Sequence, residues 1–176
     1  MKRNNVNLER LKNTAAEASG DPAKARRTSR VEGTWNLEEG KPQFTATLTF
    51  DGRTQTLEAD QPGFLGGGGT RPGPVLYCLY GTAACFAATF ASMAAMEGVE
   101  LRGLRVVAEN DINLRPVLGL SQEPIVEKVR LRLTVSSPAP RSRIEELEAL
   151  ATQRCPAVYC LTQPIRLETS LEYHQG

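Results

Sequence analysis

Histidine is almost absent from this chain of 176 residues; the only one is His174. That scarcity argues against imidazole-based catalysis and histidine-rich metal sites. Net charge is also lacking. Lys and Arg number 21 against 20 Asp and Glu, a formal balance of +1. The basic residues are spread along the chain without interleaved aromatics, so no nucleic-acid partner is expected. The basic N-terminal stretch from Met1 to Leu11 lacks the apolar segment of a secretory signal. A cytoplasmic protein, without a membrane partner, is therefore expected. Cysteine is not dense: the four thiols, Cys78, Cys85, Cys155 and Cys160, do not form the crowded framework of a secreted scaffold, and read as thiols kept reduced or cycled. Their spacings are not those of short zinc chelates, so no metal is expected. The run Gly66 to Gly69 lacks both a following Lys-Ser/Thr and the dinucleotide spacing, and reads as a flexible turn rather than a phosphate cradle. No internal repeat is evident.

What the chain does have is one long uncharged run, Pro72 to Met96. A lone membrane-spanning helix facing lipid is rich in Leu, Ile and Val, whereas this run is dominated by Ala, with Gly81, Thr82, Thr89 and Ser92 among them. Small residues allow close approach of neighbouring elements, so the run is read as a central helix buried on nearly all sides. Pro74 suits its first turn and Gly98 its C-terminal stop.

The remaining elements follow from periodicity. Residues 1 to 29 form a polar lead-in with a possible short helix, in which Leu8, Leu11 and Ala15 recur after the N-cap candidate Asn7. From residue 30 to 176 a single domain is expected. Three strands come first: one around Val31 to Trp35, one from Phe44 to Phe50, and one from Thr54 to Ala59, with Asp51-Gly52 as the hairpin turn between the last two. After the long helix come a long strand from Leu104 through Leu114, interrupted by Pro116, and another with Val129, Leu131, Leu133 and Val135 facing inward. Arg141 to Arg154 reads as an amphipathic helix burying Ile144, Leu147, Leu150 and Ala151, with Ser142 and Glu145 at capping-box spacing. Ile165 to Leu171 alternates as a last strand. The expected class is α+β, in the order βββ-α-ββ-α-β, with helices packed on a largely antiparallel sheet.

The thiols have two open readings. All four can be small buried hydrophobes. In a redox reading, one thiol attacks and a second resolves the sulfenic acid left on the first. Cys78 and Cys85 lie on one helix, roughly 10 Å apart at about 1.5 Å per residue, too far for a disulfide. Any exchange must therefore join the central helix to the Cys155 segment. If the turn after Pro156 is helical, Cys155 is its N-cap, where the helix dipole favours a thiolate. Cys85, mid-helix among apolar groups, needs a cation to lower its pKa.

Gly66 to Pro74 leading into the helix, Ala83-Ala84-Cys85-Phe86 within it, Asn110 to Arg115 followed by Leu118-Gly119-Leu120, and Arg154-Cys155-Pro156 together resemble the OsmC/Ohr proteins, a family of thiol-dependent peroxide reductases and their relatives. The resemblance covers about Arg30 to Glu172. It implies an intertwined homodimer with active sites at the subunit interface. It also implies Cys85 as the peroxide-attacking cysteine, Cys155 as the resolving one, an organic hydroperoxide substrate, an external dithiol reductant and no cofactor. Cys78 and Cys160 match no catalytic position and are expected in the core. One departure keeps an alternative open. Family peroxidases carry a Glu just after the helix-opening proline, where it orients an activating Arg. This chain has Val75 and Leu76 there, and Lys41, Arg53 and Arg71 are its only candidate cations nearby. The alternative is a non-peroxidatic dimer of the same fold that binds a small apolar ligand or acts structurally.

Overall fold

The computed structural model describes residues 1–176 and is a mixed α+β arrangement of small antiparallel sheets and five α-helices. The N-terminus begins with a two-stranded hairpin, β1 (Lys2–Arg3) and β2 (Val6–Asn7). Its turn places Asn4 and Asn5 at φ +53° and +61°, the left-handed region that Asn tolerates and that a tight hairpin turn needs. Asn7 then caps α1 (Leu8–Gly20), its side chain accepting from the Arg10 amide. The Asn4 side chain donates to the Val99 carbonyl and accepts from the Leu101 amide, both at 2.9 Å. This ties the lead-in to the turn that follows the long helix.

Next comes a meander of β3 (Glu32–Trp35), β4 (Phe44–Phe50) and β5 (Arg53–Ala59). Phe50 pairs with Arg53 across the two-residue turn, where Asp51 and Gly52 both take positive φ. The glycine segment after β5 is not a loose turn. It wraps the Asp60 carboxylate, which accepts from the Gly68 amide, the Thr70 amide and the Thr70 hydroxyl. Asp60 is buried, and the Thr70 amide bond is the leading reason its pKa lies below the ordinary carboxylate range. A Cβ on Gly67 would fall 1.9 Å from the Gln61 carbonyl oxygen, so only glycine fits. This wrapped loop sets the start of α2 (Pro74–Met96), with Pro74 in its first turn.

The strands β6 (Gly103–Ile112) and β7 (Val126–Ser136) pair antiparallel behind α2, joined through the short α3 (Leu114–Val117). Helix α4 (Arg141–Arg154) and the seven-residue α5 (Pro156–Thr162) complete the set. The core gathers Phe86, Phe90 and Ala94 of α2 with Leu147 and Ala151 of α4, Cys155, and Val158 of α5. Leu131, Leu133 and Val135 of β7 pack against it.

Four expectations are corrected. The Ser142/Glu145 capping box does not form: Pro140 is the N-cap of α4 with no side-chain bond, and Glu145 instead pairs with Arg141 at 2.7 Å. The glycine turn is packed, as described above. Ile165 to Leu171 makes no ladder and is exposed, although the open sheets of the chain leave free edges. Helix α2 is not buried on nearly all sides: only Phe86, Phe90, Ala94 and Ala95 are, since α4, α5 and β6 cover one flank. By length and composition alone α2 could cross a membrane, but it is the helix on which the core is built.

The exposed surface of the chain as a whole is large. The chain exposes 13611 Å², whereas a compact monomer of 19.2 kDa would expose roughly 8,400 Å² by area–mass scaling. Trp35, Phe50, Leu76, Tyr80 and Leu167 are all exposed.

Candidate functional site

Two helix positions bring the site together. Cys85 sits in the middle of α2, one residue before the buried Phe86, with its carbonyl accepting from the Thr89 hydroxyl at 2.9 Å. Cys155 sits between α4 and α5. Its amide closes α4 on the Ala151 carbonyl, and it is the N-cap of α5. Pro156 enforces that break, because it cannot continue α4 but is suited to the first turn of α5. Packing of α4 and α5 on α2 then places the Cys155 sulfur 3.6 Å from that of Cys85. The two thiols are 70 residues apart in sequence and unbonded. Cys155 is fully buried, among the largest wholly enclosed side chains together with Phe90 and Leu147. Cys85 is half-buried.

The electrostatics of Cys85 differ from what an activated thiol needs. Burial is the main influence, and it pushes the Cys85 pKa above that of an ordinary thiol; the neighbouring Cys155 thiol and the charge of Cys160 push the same way. The one opposing influence is the backbone N–H of Ala157, in the first turn of α5. It approaches the Cys85 sulfur without closing a full hydrogen bond. The α5 amides therefore favour a thiolate at Cys85, while Cys155, expected to benefit from them, makes no side-chain cap bond.

No arginine or lysine is among the leading influences on Cys85. Arg71 is engaged with Glu58 at 2.6 Å and Lys41 lies 4.0 Å from Glu38. Arg154, the neighbour of Cys155, lies 3.4 Å from the Met93 sulfur. Val75 and Leu76 open α2 as exposed apolar residues. Cys78 and Cys160, expected in the core, are both exposed. Cys78 lines an apolar cavity of about 850 Å³ with Arg71, Pro74, Leu79, Ile112 and Leu161. No group of His, Cys, Asp and Glu is arranged to hold a metal ion. One feature was not foreseen: the influence of the Ala157 amide, which belongs to the backbone and leaves no trace in residue type.

A family model described as OsmC-like protein matches residues 66–170. The chain belongs to the OsmC-like family. No curated protein matches it. Among solved structures, an OsmC-like protein from Mycoplasma pneumoniae is similar at 23% identity and TM-score 0.58, over 77% of this chain and 87% of that one. An OsmC-like protein of unknown function from Vibrio cholerae superposes at TM-score 0.59 and 17% identity, covering 78% of this chain and 95% of that one. The organic hydroperoxide resistance protein of Bacillus subtilis is similar at TM-score 0.51 and 19% identity, over 77% and 91%. These likenesses fix the OsmC-like fold, in which α2 is the long core helix.

Proposed function

We propose that this OsmC-like chain reduces organic hydroperoxides through Cys85 and Cys155. The observation that carries this reading is the 3.6 Å separation of the two sulfurs, which allows a disulfide after only a small approach. The Cys85 thiolate attacks the terminal peroxide oxygen, the O–O bond breaks, and the departing alkoxide takes a proton to leave as alcohol. The Cys85 sulfenic acid then condenses with the Cys155 thiol, releasing water and forming the disulfide. An external dithiol returns both to thiols. No cofactor takes part. Residues 30 to 176 act as one domain, with 1 to 29 as a lead-in, in a cytoplasmic protein.

The working unit in this proposal is an intertwined homodimer. Its support is the roughly 5,000 Å² by which the surface of each chain exceeds that of a compact monomer, ample for the roughly 1,000–2,500 Å² per subunit that obligate dimers bury. A second copy would cover the N-terminal half of α2 and the β3–β5 sheet.

A second reading has its own observation. With no cation among the leading influences on Cys85 and an apolar cavity along α2, the dimer would bind a small apolar ligand without turning it over. Steady-state assays with an organic hydroperoxide and a dithiol, run beside Cys85→Ser, decide between the two. Dithiol-dependent turnover lost in the variant supports the reductase, whereas turnover equal to the variant's leaves only the binding protein.

A further inference from the structure

The last residue of α4 holds α2 by an uncommon contact. The Arg154 guanidinium donates to the Met93 sulfur at 3.4 Å, at the surface of the molecule. A thioether is a weak acceptor, and Arg154 has no carboxylate partner beside it. Glu97, one turn beyond Met93, is taken instead by Arg143 at 2.6 Å. Met93 is half-buried and packs against the core that α2 shares with α4. Its sulfur is therefore held under the guanidinium while the contact itself faces water.

We propose that Met93 is an oxidation site, at which the sulfoxide is received by Arg154 and fastens the end of α4 to α2. The oxidant is a hydroperoxide, and the proposal rests on the reductase reading only for the encounter with one. The Met93 sulfur attacks the terminal peroxide oxygen and the O–O bond breaks. The departing alkoxide takes the proton of the transferred oxygen and leaves as alcohol, so sulfur loses the two electrons that the peroxide gains. Sulfoxides ordinarily disrupt packed sites, because an apolar side chain becomes polar. Here the new oxygen arises beside a cation whose planar fork carries five N–H donors. The weak N–H···S contact gives way to a charge-assisted N–H···O bond, roughly twice as strong as a neutral one. The residue it fixes immediately precedes Cys155. Oxidising conditions, which load the thiol pair, thereby tighten the helix end that carries one of its members. A methionine sulfoxide reductase reverses the change.

The test compares Tm before and after oxidation of the full chain carrying Met96→Leu, which removes the exposed methionine next to the site. Accessible thiols are first capped as methyl disulfides with methyl methanethiosulfonate. Hydrogen peroxide is then applied, and dithiothreitol frees the thiols while leaving the sulfoxide, whose place is read by peptide mass spectrometry. The chain oxidised at Met93 should melt at or above its unoxidised form. With Arg154→Leu added, the same oxidation should lower Tm by about 5 °C; with Met93→Leu added, peroxide should leave Tm unchanged. Arg154 is exposed, so its variant folds. Met93 left unoxidised in the folded chain, an equal fall in Tm with and without Arg154, or a shift that survives Met93→Leu overturns the proposal. A chain that gives the expected pattern yet shows no dithiol-dependent hydroperoxide turnover keeps the Met93 site and removes the reductase reading.

Discussion

Titrating the reactivity of Cys85 tests the electrostatic description of the site. The perturbation is pH, applied to the chain carrying Cys78→Ala and Cys160→Ala, in which Cys85 is the only accessible thiol because Cys155 is enclosed. An ordinary thiol has a pKa of about 8.5, so at pH 7 about 3% of it is thiolate. Burial pushes Cys85 above the ordinary value and no cation is among the leading influences on it, so its thiolate fraction at pH 7 must be smaller still. The rate of alkylation by iodoacetamide, followed by intact mass, should climb about tenfold per pH unit from 7 to 8.5 without levelling off. The sign for stability follows from the same shift. A folded-state pKa above the unfolded one contributes stability that is present below the unfolded thiol pKa and is lost as pH rises through the folded value. A plateau in alkylation below pH 8 would refute the reasoning, since it would reveal a cation or donor at Cys85 that outweighs burial.

Three other substitutions probe the scaffold and the pair. In a chain that also carries Cys160→Ala, Cys155→Ser should leave Cys85 without a resolving thiol, so that excess hydroperoxide drives it to sulfinic acid, read as the addition of two oxygen atoms by mass spectrometry. Leu147→Ala empties a fully buried site between α2 and α4 and should cost about 3–5 kcal/mol in urea unfolding. Gly67→Ala drives a Cβ into the Gln61 carbonyl; the resulting displacement of the Asp60 loop should cost about 1–3 kcal/mol in the same assay.

Much of the fold was legible because its signals are local. Pro74 and Gly98 bracket the long helix, Asp51-Gly52 makes the tight hairpin turn, and alternation in β7 separates its core face from its wet face. Asn4-Asn5 carried a hairpin signal of the same kind and was read only as part of a polar lead-in. Other features depend on competition that residue order does not express. Glu145 had two suitors, and the guanidinium of Arg141 won it from the helix end. The glycine segment was read from its freedom alone, whereas its conformation is dictated by Asp60, a carboxylate that must be satisfied once it is buried. The alternation of Ile165 to Leu171 describes a strand without saying whose edge it joins. At the site, the meeting of Cys85 and Cys155 was expected from matching motifs, but the exposure of Cys160 and the aim of the Ala157 amide depend on how α5 lies against α2.

The 70-residue separation of the paired thiols bears on endurance as well as chemistry. A covalent link between them would close a loop spanning α2, both long strands and α4. By loop-closure entropy, that restricts the unfolded chain by about 4 kcal/mol. A molecule that made and broke this link on each turnover would alternate between a tougher oxidised form and a softer reduced one. The reduced form, waiting for peroxide, would be the more open to proteolysis and heat, and exposure to substrate would itself lengthen the lifetime of the protein.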